Sequence, residues 1–376
     1  MALARLTLAR AAARRGQQQQ RRWLGRPAIR VERAAELETA LDGADQCAAV
    51  EGRAVLEVGG ADATEFLNGM QCNDMARIAG GGGGMLTAFL TAQGRVVADA
   101  FMYPQPAASA GASGSPRYLV EVDARVAPRI VQILSFYRLR SRVEIRDATD
   151  EYAVWSLWGP RAATAATAAA AAQDGAWAAD GRAPGMGLRL VAERSGVPRA
   201  VAGLEQRSAD EYRLRRILKG VAEGADDFVC GAAVPLECNL DYMGGVHFSK
   251  GCYVGQELTI RTHHRGVVRK RLVPVLLAHA DAGPRSPLCV DRQWACPVPP
   301  QAEITRTGGA PPPSARRVQP GRLGSTAWNA GLALMRLDLV QQYVAGDDVA
   351  FEATAADGSR VFVSPWLPSW WPAAAP

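Results

Sequence analysis

Paired cysteines are what this 376-residue chain most informatively lacks. Its seven cysteines, Cys47, Cys72, Cys230, Cys238, Cys252, Cys289 and Cys296, are odd in number and scattered, and no two stand in a Cys-x-x-Cys spacing. A closed zinc ribbon or a resident four-cysteine cluster needs such pairs, so neither is expected. A chain this long also carries core enough to fold without disulfides. Lysine is nearly missing, with only Lys219, Lys250 and Lys270 among 43 basic residues. No run of about 18 uncharged apolar residues occurs, which excludes a helical membrane span. The five glycines at 80–84 are not followed by Gly-Lys-Ser/Thr, so they form a loop and not a phosphate cradle.

Acid is absent from residues 1–31, which hold eight arginines: Arg5, Arg10, Arg14, Arg15, Arg21, Arg22, Arg26 and Arg30. An Arg-, Ala- and Leu-rich stretch without acid has the composition of a mitochondrial transit peptide, which directs the rest of the chain to the matrix. Setting these eight aside leaves 35 of the 43 basic residues against 37 acidic ones. The net charge of +6 therefore belongs to the N-terminus, and the near-neutral body has no global field for phosphates. No nucleic-acid partner is expected.

Ordered structure is expected to begin near Ala48. Residues 53–58 alternate as a strand, and Asp62 is a candidate N-cap for a helix carrying Phe66, Leu67 and Met70. Strands are expected at 85–90, 96–103 and 118–122, with a helix over 126–137 presenting Ile130, Val131, Ile133 and Leu134 to a core. The Ala/Ser/Gly/Pro-rich stretch 104–116 reads as a hairpin insertion, and an alanine-rich helix runs through Ala172. Strands and helices interleave without a regular βα rhythm, which predicts α+β with antiparallel sheets. From Gly266 the character turns to β, with strands at 267–277, 331–337 and 361–364 around a Pro/Arg-rich loop over 280–320. That suits a small barrel over 266–372. Trp366, Trp370 and Trp371 are expected to cover it.

One octapeptide has no periodicity that a core would ask for: Lys250-Gly251-Cys252-Tyr253-Val254-Gly255-Gln256-Glu257. It sets a single thiol between two glycines, which permit a tight turn or a close approach by another molecule. Lys250 and the following Arg261, Arg265, Arg269, Lys270 and Arg271 favour the thiolate, the metal-binding form of cysteine. The plain alternative is a buried strand thiol, the usual fate of a free cysteine. Tyr253 is expected to pack against the body, and Gln256 and Glu257 to brace the loop. His263 and His264, read on a basic strand over 261–271, face opposite ways, so at most one approaches Cys252. No second acid-bearing motif supports a Cys-His hydrolase.

This octapeptide, with Thr262-His263-His264-Arg265-Gly266 and the basic run after it, resembles the signature of the YgfZ/GcvT-like family in its mitochondrial branch. Residues 235–240 and 368–372 resemble it more loosely. The resemblance implies a three-lobed fold, with two interwoven α+β units over 48–258 and a C-terminal barrel. It implies a mitochondrial factor that assists maturation of four-iron-cluster proteins. Such a factor would dock an A-type iron–sulfur scaffold protein and deliver to client apoproteins, with Cys252 a ligand to a transient shared cluster. The family's aminomethyltransferase relatives bind tetrahydrofolate through acids. Here the corresponding stretches read Gly94-Arg95-Val96-Val97-Ala98-Asp99 and Arg216-Ile217-Leu218-Lys219-Gly220, which leave Asp99, Glu223 and Asn239 as folate-pocket candidates. An apolar Leu218 accepts no pterin N–H. Transfer chemistry is therefore not expected, and a folate-dependent one-carbon transferase stands as the alternative function.

Overall fold

The computed structural model describes residues 32–105, 114–162, 175–283, 289–308 and 319–372. The leader over 1–31, the centre of the 104–116 insertion, residues 163–172 of the alanine-rich helix and parts of the 280–320 loop lie outside the described residues.

The chain opens with β1 (Glu32–Arg33), α1 (Ala34–Asp42) and β2 (Gln46–Ala49), ahead of the expected start at Ala48. Leu37 and Leu41, one helical turn apart, bury α1 against the central core. The first lobe is an antiparallel sheet in the order β4-β5-β6-β3-β7. Its strands are β3 (Arg53–Gly59), β4 (Met85–Leu90), β5 (Val96–Pro104), β6 (Arg117–Asp123) and β7 (Glu144–Asp147). Two helices cover one face: α2 (Ala63–Met70) through Ala63, Phe66, Leu67 and Met70, and α3 (Ala127–Tyr137) through Ala127, Ile130 and Leu134. Spacings of three and four residues produce both stripes, and Pro128 in the first turn of α3 costs no hydrogen bond. Asp62 does not cap α2. Its carboxylate instead accepts from the Arg142 backbone (2.8 Å) and guanidinium (2.7 Å), which outcompete the α2 amides.

The second lobe is a mixed sheet, β11-β2-β8-β10-β9, built from β8 (Tyr152–Trp158), β9 (Ala176–Ala179), β10 (Leu188–Glu193) and β11 (Glu205–Arg207) around β2. Among the described residues, only β2 and β11 pair in parallel. Helix α4 (Ala209–Leu218), capped by Ser208, packs beside α1 and joins this lobe to the barrel. A long loop leads from α4 to α5 (Gln256–Arg265).

The last lobe is a closed barrel, β12-β16-β15-β14-β17-β18. Its strands are β12 (Lys270–His279), β14 (Glu303–Thr307), β15 (Gly321–Ala327), β16 (Ala330–Arg336), β17 (Ala350–Thr354) and β18 (Arg360–Pro365); the short β13 (Cys289–Val290) pairs with β1, and α6 (Leu337–Ala345) packs on the barrel wall. Alternate residues fill the interior: Val273, Val275 and Leu277 from β12, Phe351 and Ala353 from β17, Val361 and Val363 from β18. Closure removes the exposed strand edges that would otherwise pair with other chains. Of the three tryptophans expected to cover it, Trp371 packs on the barrel cluster, whereas Trp366 and Trp370 pack on the central core, Trp370 donating from Nε1 to the Lys219 carbonyl at 2.8 Å.

Candidate functional site

The expected strand over 261–271 is two elements, helix α5 and then strand β12 from Lys270. Leu258 and Ile260 imitate strand alternation, but α5 closes on itself: the Thr262 hydroxyl donates to the Leu258 carbonyl at 2.8 Å, four residues back. His263, His264 and Arg265 then fall in its last turn, where positive charge suits the helix dipole.

Gly255 makes this arrangement possible. Its φ is +80°, and a Cβ there would stand 2.3 Å from the Thr91 carbonyl oxygen. The hairpin between β4 and β5 abuts it closely, since a Cβ on Gly94 would lie 2.7 Å from the Gly255 oxygen. Gly251 differs: a side chain there would meet open space. Of the two glycines, one is required by the fold and the other faces outward.

Lys250 fastens the thiol loop to the end of α2. Its Nζ donates to the carbonyls of Asn68, Gln71 (2.8 Å) and Asn73 (2.6 Å), and the Val254 amide donates to the Gly69 carbonyl at 3.0 Å. An ammonium beside the terminal carbonyls of a helix meets both their lone pairs and the negative end of the dipole. Among the described residues no carboxylate pairs with it, and burial pulls its pKa down to about 8. Lys250 therefore acts first as a brace, where the sequence offered it as a neighbour favouring the thiolate.

Cys252 is exposed, which removes the buried-strand alternative. The next side chain, Tyr253, turns inward to the core, with the Lys250 ammonium 5.0 Å from its ring centroid. Gln256 braces the turn by accepting from the Tyr253 amide at 3.3 Å. Cys252 opens into a cleft of about 710 Å³. Lys250, Gly251 and Cys252 of the thiol loop line it together with Gln256, Glu257, Ile260, Arg261, His264 and Arg265 of α5. Only one of the two histidines reaches it. His264 lines the cleft, whereas His263 stacks on Phe248 with ring centroids 3.6 Å apart and planes 11° from parallel. Cys230 is also exposed, Cys47, Cys72 and Cys238 are buried, and burial raises the pKa of each of these three.

The folate-pocket candidates lie elsewhere, in two buried polar clusters. Asp99 pairs with Arg53 at 3.2 Å and accepts from the Gly224 amide at 3.0 Å. Glu223 Oε2 accepts from Arg182 (2.7 Å), Arg189 (3.0 Å) and the Tyr212 hydroxyl (2.7 Å). Glu121 accepts from Arg53 and from Tyr103, both at 2.7 Å, and pairs with Arg189. Burial alone would raise the pKa of Glu223 and Glu121. Arg189 and Arg182 outweigh it at Glu223, which sits well below its usual value, and Arg189 and Arg53 hold Glu121 at about 2. Asp99 goes the other way, because burial outweighs Arg53. Asn239, at φ +62°, clips the barrel to the body: its Nδ2 donates to the Leu272 carbonyl at 2.7 Å, and its Oδ1 accepts from Arg271 at 3.3 Å. A pterin needs carboxylate or amide lone pairs free for its N–H groups. At Glu223 Oε2 and Asn239 those groups already serve arginines, a tyrosine or backbone, whereas the buried Asp99 Oδ2 has the ion pair to Arg53 but no hydrogen-bond donor. Sequence reasoning missed Arg53, Glu121, Arg182, Arg189 and Tyr212. Their one signal was a charge set among apolar strand residues, as in Leu188-Arg189-Leu190 and Val120-Glu121-Val122.

A three-lobed α+β body closed by a small barrel defines a class, that of the glycine-cleavage T-protein fold. Residues 48–180 match the GCVT N-terminal domain family, and residues 269–373 match the CAF17 C-terminal beta-barrel domain. Among solved structures, the glycine cleavage system aminomethyltransferase T from Bartonella henselae superposes with a TM-score of 0.59 over 90% of this chain and 89% of that one. At 12% identity that likeness shows the fold alone. Closer in sequence is the "Iron-sulfur cluster assembly factor IBA57 homolog, mitochondrial" of Mycosarcoma maydis, 36% identical over 86% of this chain and 84% of its own. The Aspergillus fumigatus protein of the same name is 39% identical over 78% of this chain and 70% of its own. The chain belongs to this IBA57 family of mitochondrial, GcvT-like proteins.

Proposed function

We propose that this protein is a mitochondrial matrix factor for iron–sulfur cluster assembly, in which Cys252 supplies one ligand to a cluster held jointly with an A-type scaffold protein. The cluster is cargo, passed on to mature four-iron-cluster apoproteins, and residues 1–31 are the leader that brings the chain to the matrix. The observation that carries this reading is the exposed thiol on a loop pinned to three carbonyls and opening into a cleft. Among the described residues no group of three or more His, Cys, Asp or Glu is arranged to hold a metal ion. A cluster at Cys252 therefore draws its other ligands from a second molecule. The curated relatives are named as iron–sulfur cluster assembly factors, which supports the same conclusion.

A thiol serves as a shared ligand when it is accessible and fixed, and this loop provides both. Gly255 fixes the turn, Lys250 ties it down, and the alternation of Tyr253 inward with Cys252 outward presents the sulfur. The transferase alternative needs acids free for folate, and it is disfavoured by the ion pairs that Arg53 makes with Asp99 and that Arg182 and Arg189 make with Glu223 Oε2. Anaerobic mixing with an A-type scaffold loaded with a two-iron cluster tests the proposal by circular dichroism and visible absorption. The spectrum of the scaffold-bound cluster should change with the wild-type protein and stay unchanged with Cys252→Ala. An identical change with both proteins would take the cysteine out of the mechanism.

A further inference from the structure

The cleft beside Cys252 holds more positive charge than bracing the loop requires. Arg261 and Arg265 sit one helical turn apart on α5 and both line it. Neither has an ion-pair partner among the described residues. Lys250 also lines it, and Glu257 is the one acid of the lining. Phe248 and Ile260 add apolar surface. A volume of about 710 Å³ is far more than one sulfur fills and lies within the roughly 300–1,000 Å³ of small-molecule sites.

We propose that this cleft is a binding subsite for a small thiol bearing carboxylates, its sulfur beside Cys252 and its carboxylates on Arg261 and Arg265. A guanidinium matches a carboxylate with two parallel N–H donors, which a lone ammonium cannot do. Side chains one turn apart are neighbours on a helix surface, so the two forks present a single anionic seat. A thiol seated there places a second sulfur next to the chain's own and supplies a metal ligand that the described residues do not. The purpose assigned to that sulfur rests on the assembly reading, whereas the binding itself rests on the charge and shape of the cleft.

Thiol–disulfide exchange reads the charge of the cleft directly. The Cys252 thiolate attacks one sulfur of an added disulfide, the S–S bond breaks, and the other half leaves as a thiolate, so the reagent is its own oxidant. Three disulfides of matched size serve as probes: dithiodiglycolate (anionic), 2-hydroxyethyl disulfide (neutral) and cystamine (cationic). Mass spectrometry of the Cys252 peptide keeps exposed Cys230 out of the reading. Rates for wild type are divided by those for R261Q/R265Q, which cancels the intrinsic reactivity of each reagent. Relative to the neutral probe, whose ratio carries any common effect of the variant on the thiol, the ratio should be about tenfold higher for the anionic probe and lower for the cationic probe, as two exposed charge pairs allow. The three ratios should converge on a common value at about 1 M salt. Equal ratios at low salt would overturn the subsite, and an unaltered scaffold-cluster spectrum change in the same double variant would leave the assembly reading standing. Charge-selective exchange in a protein that never perturbs the scaffold's cluster would support the subsite and remove the assembly role.

Discussion

At the scale of single residues, the thiol motif separates into positions the fold requires and positions it leaves open. Gly255 holds a left-handed backbone against the Thr91 carbonyl, so Gly255→Ala combines dihedral strain with a backbone clash. It should destabilise the protein by about 1–3 kcal/mol in urea denaturation. Gly251→Ala meets open space and should fall within about 0.5 kcal/mol of wild type. Equal losses for the two variants would contradict this division. The sequence showed two glycines flanking a thiol without distinguishing them. The distinction comes from a hairpin some 160 positions earlier in the chain, at Thr91 and Gly94, and no local pattern reports such a contact.

At the scale of elements, Lys250 joins the thiol loop to α2, and pH dependence reveals how. Its folded pKa of about 8 lies below the ordinary 10.5, so between these values the unfolded chain binds the extra proton. The stability linked to this group therefore rises with pH across that window and is lost as pH falls through about 8. Lys250→Met should flatten this slope while loosening the loop. Denaturation midpoints measured from pH 7.5 to 10.5 on both proteins give the comparison, and parallel curves would count against it. The legibility of elements varied for a physical reason. Strands β4, β5 and β6 were visible as short, mostly apolar runs set off by turn residues, and helix α3 because its apolar residues recur every three or four positions. Helix α5 was not, since only Thr259 of its ten residues is buried and it has no apolar stripe to read. Helix α1 was passed over because its short apolar pair follows directly on the charged leader.

At the scale of the whole molecule, a buried layer of ions joins the first two lobes. Arg53 and Glu121 belong to one sheet, Arg189 to the other, and Glu223 follows α4. Breaking such a network leaves charge buried without a partner, so Glu223→Gln should cost about 3–5 kcal/mol in urea denaturation. The acid response has a defined sign. Glu121 at about 2, and Glu223 well below 4.5, bind protons less readily folded than unfolded. Their stabilisation is complete above about 4.5 and is lost as pH falls toward 2, with the raised Asp99 offsetting part of it. Glu223→Gln should therefore lose less stability than wild type between pH 5 and 3. A steeper loss in the variant would contradict the account. This layer escaped sequence reasoning because opposite charges met across lobes, at separations of 68 residues for Glu121 with Arg189 and 34 for Arg189 with Glu223.

The tail at Trp366–Trp371 fastens these lobes from outside. Pro368 fills the space over Gly220, where a Cβ would come within 2.7 Å of its ring, and Trp370 bonds to Lys219 at the end of α4. These residues leave the ribosome later than every part they hold together. Until they arrive, the end of α4 and the barrel wall lie uncovered for chaperones and proteases to find. The last fastening of the fold thus forms only after translation has run past the barrel, and a chain cut short before Trp366 would leave Gly220 and the Lys219 carbonyl without their cover.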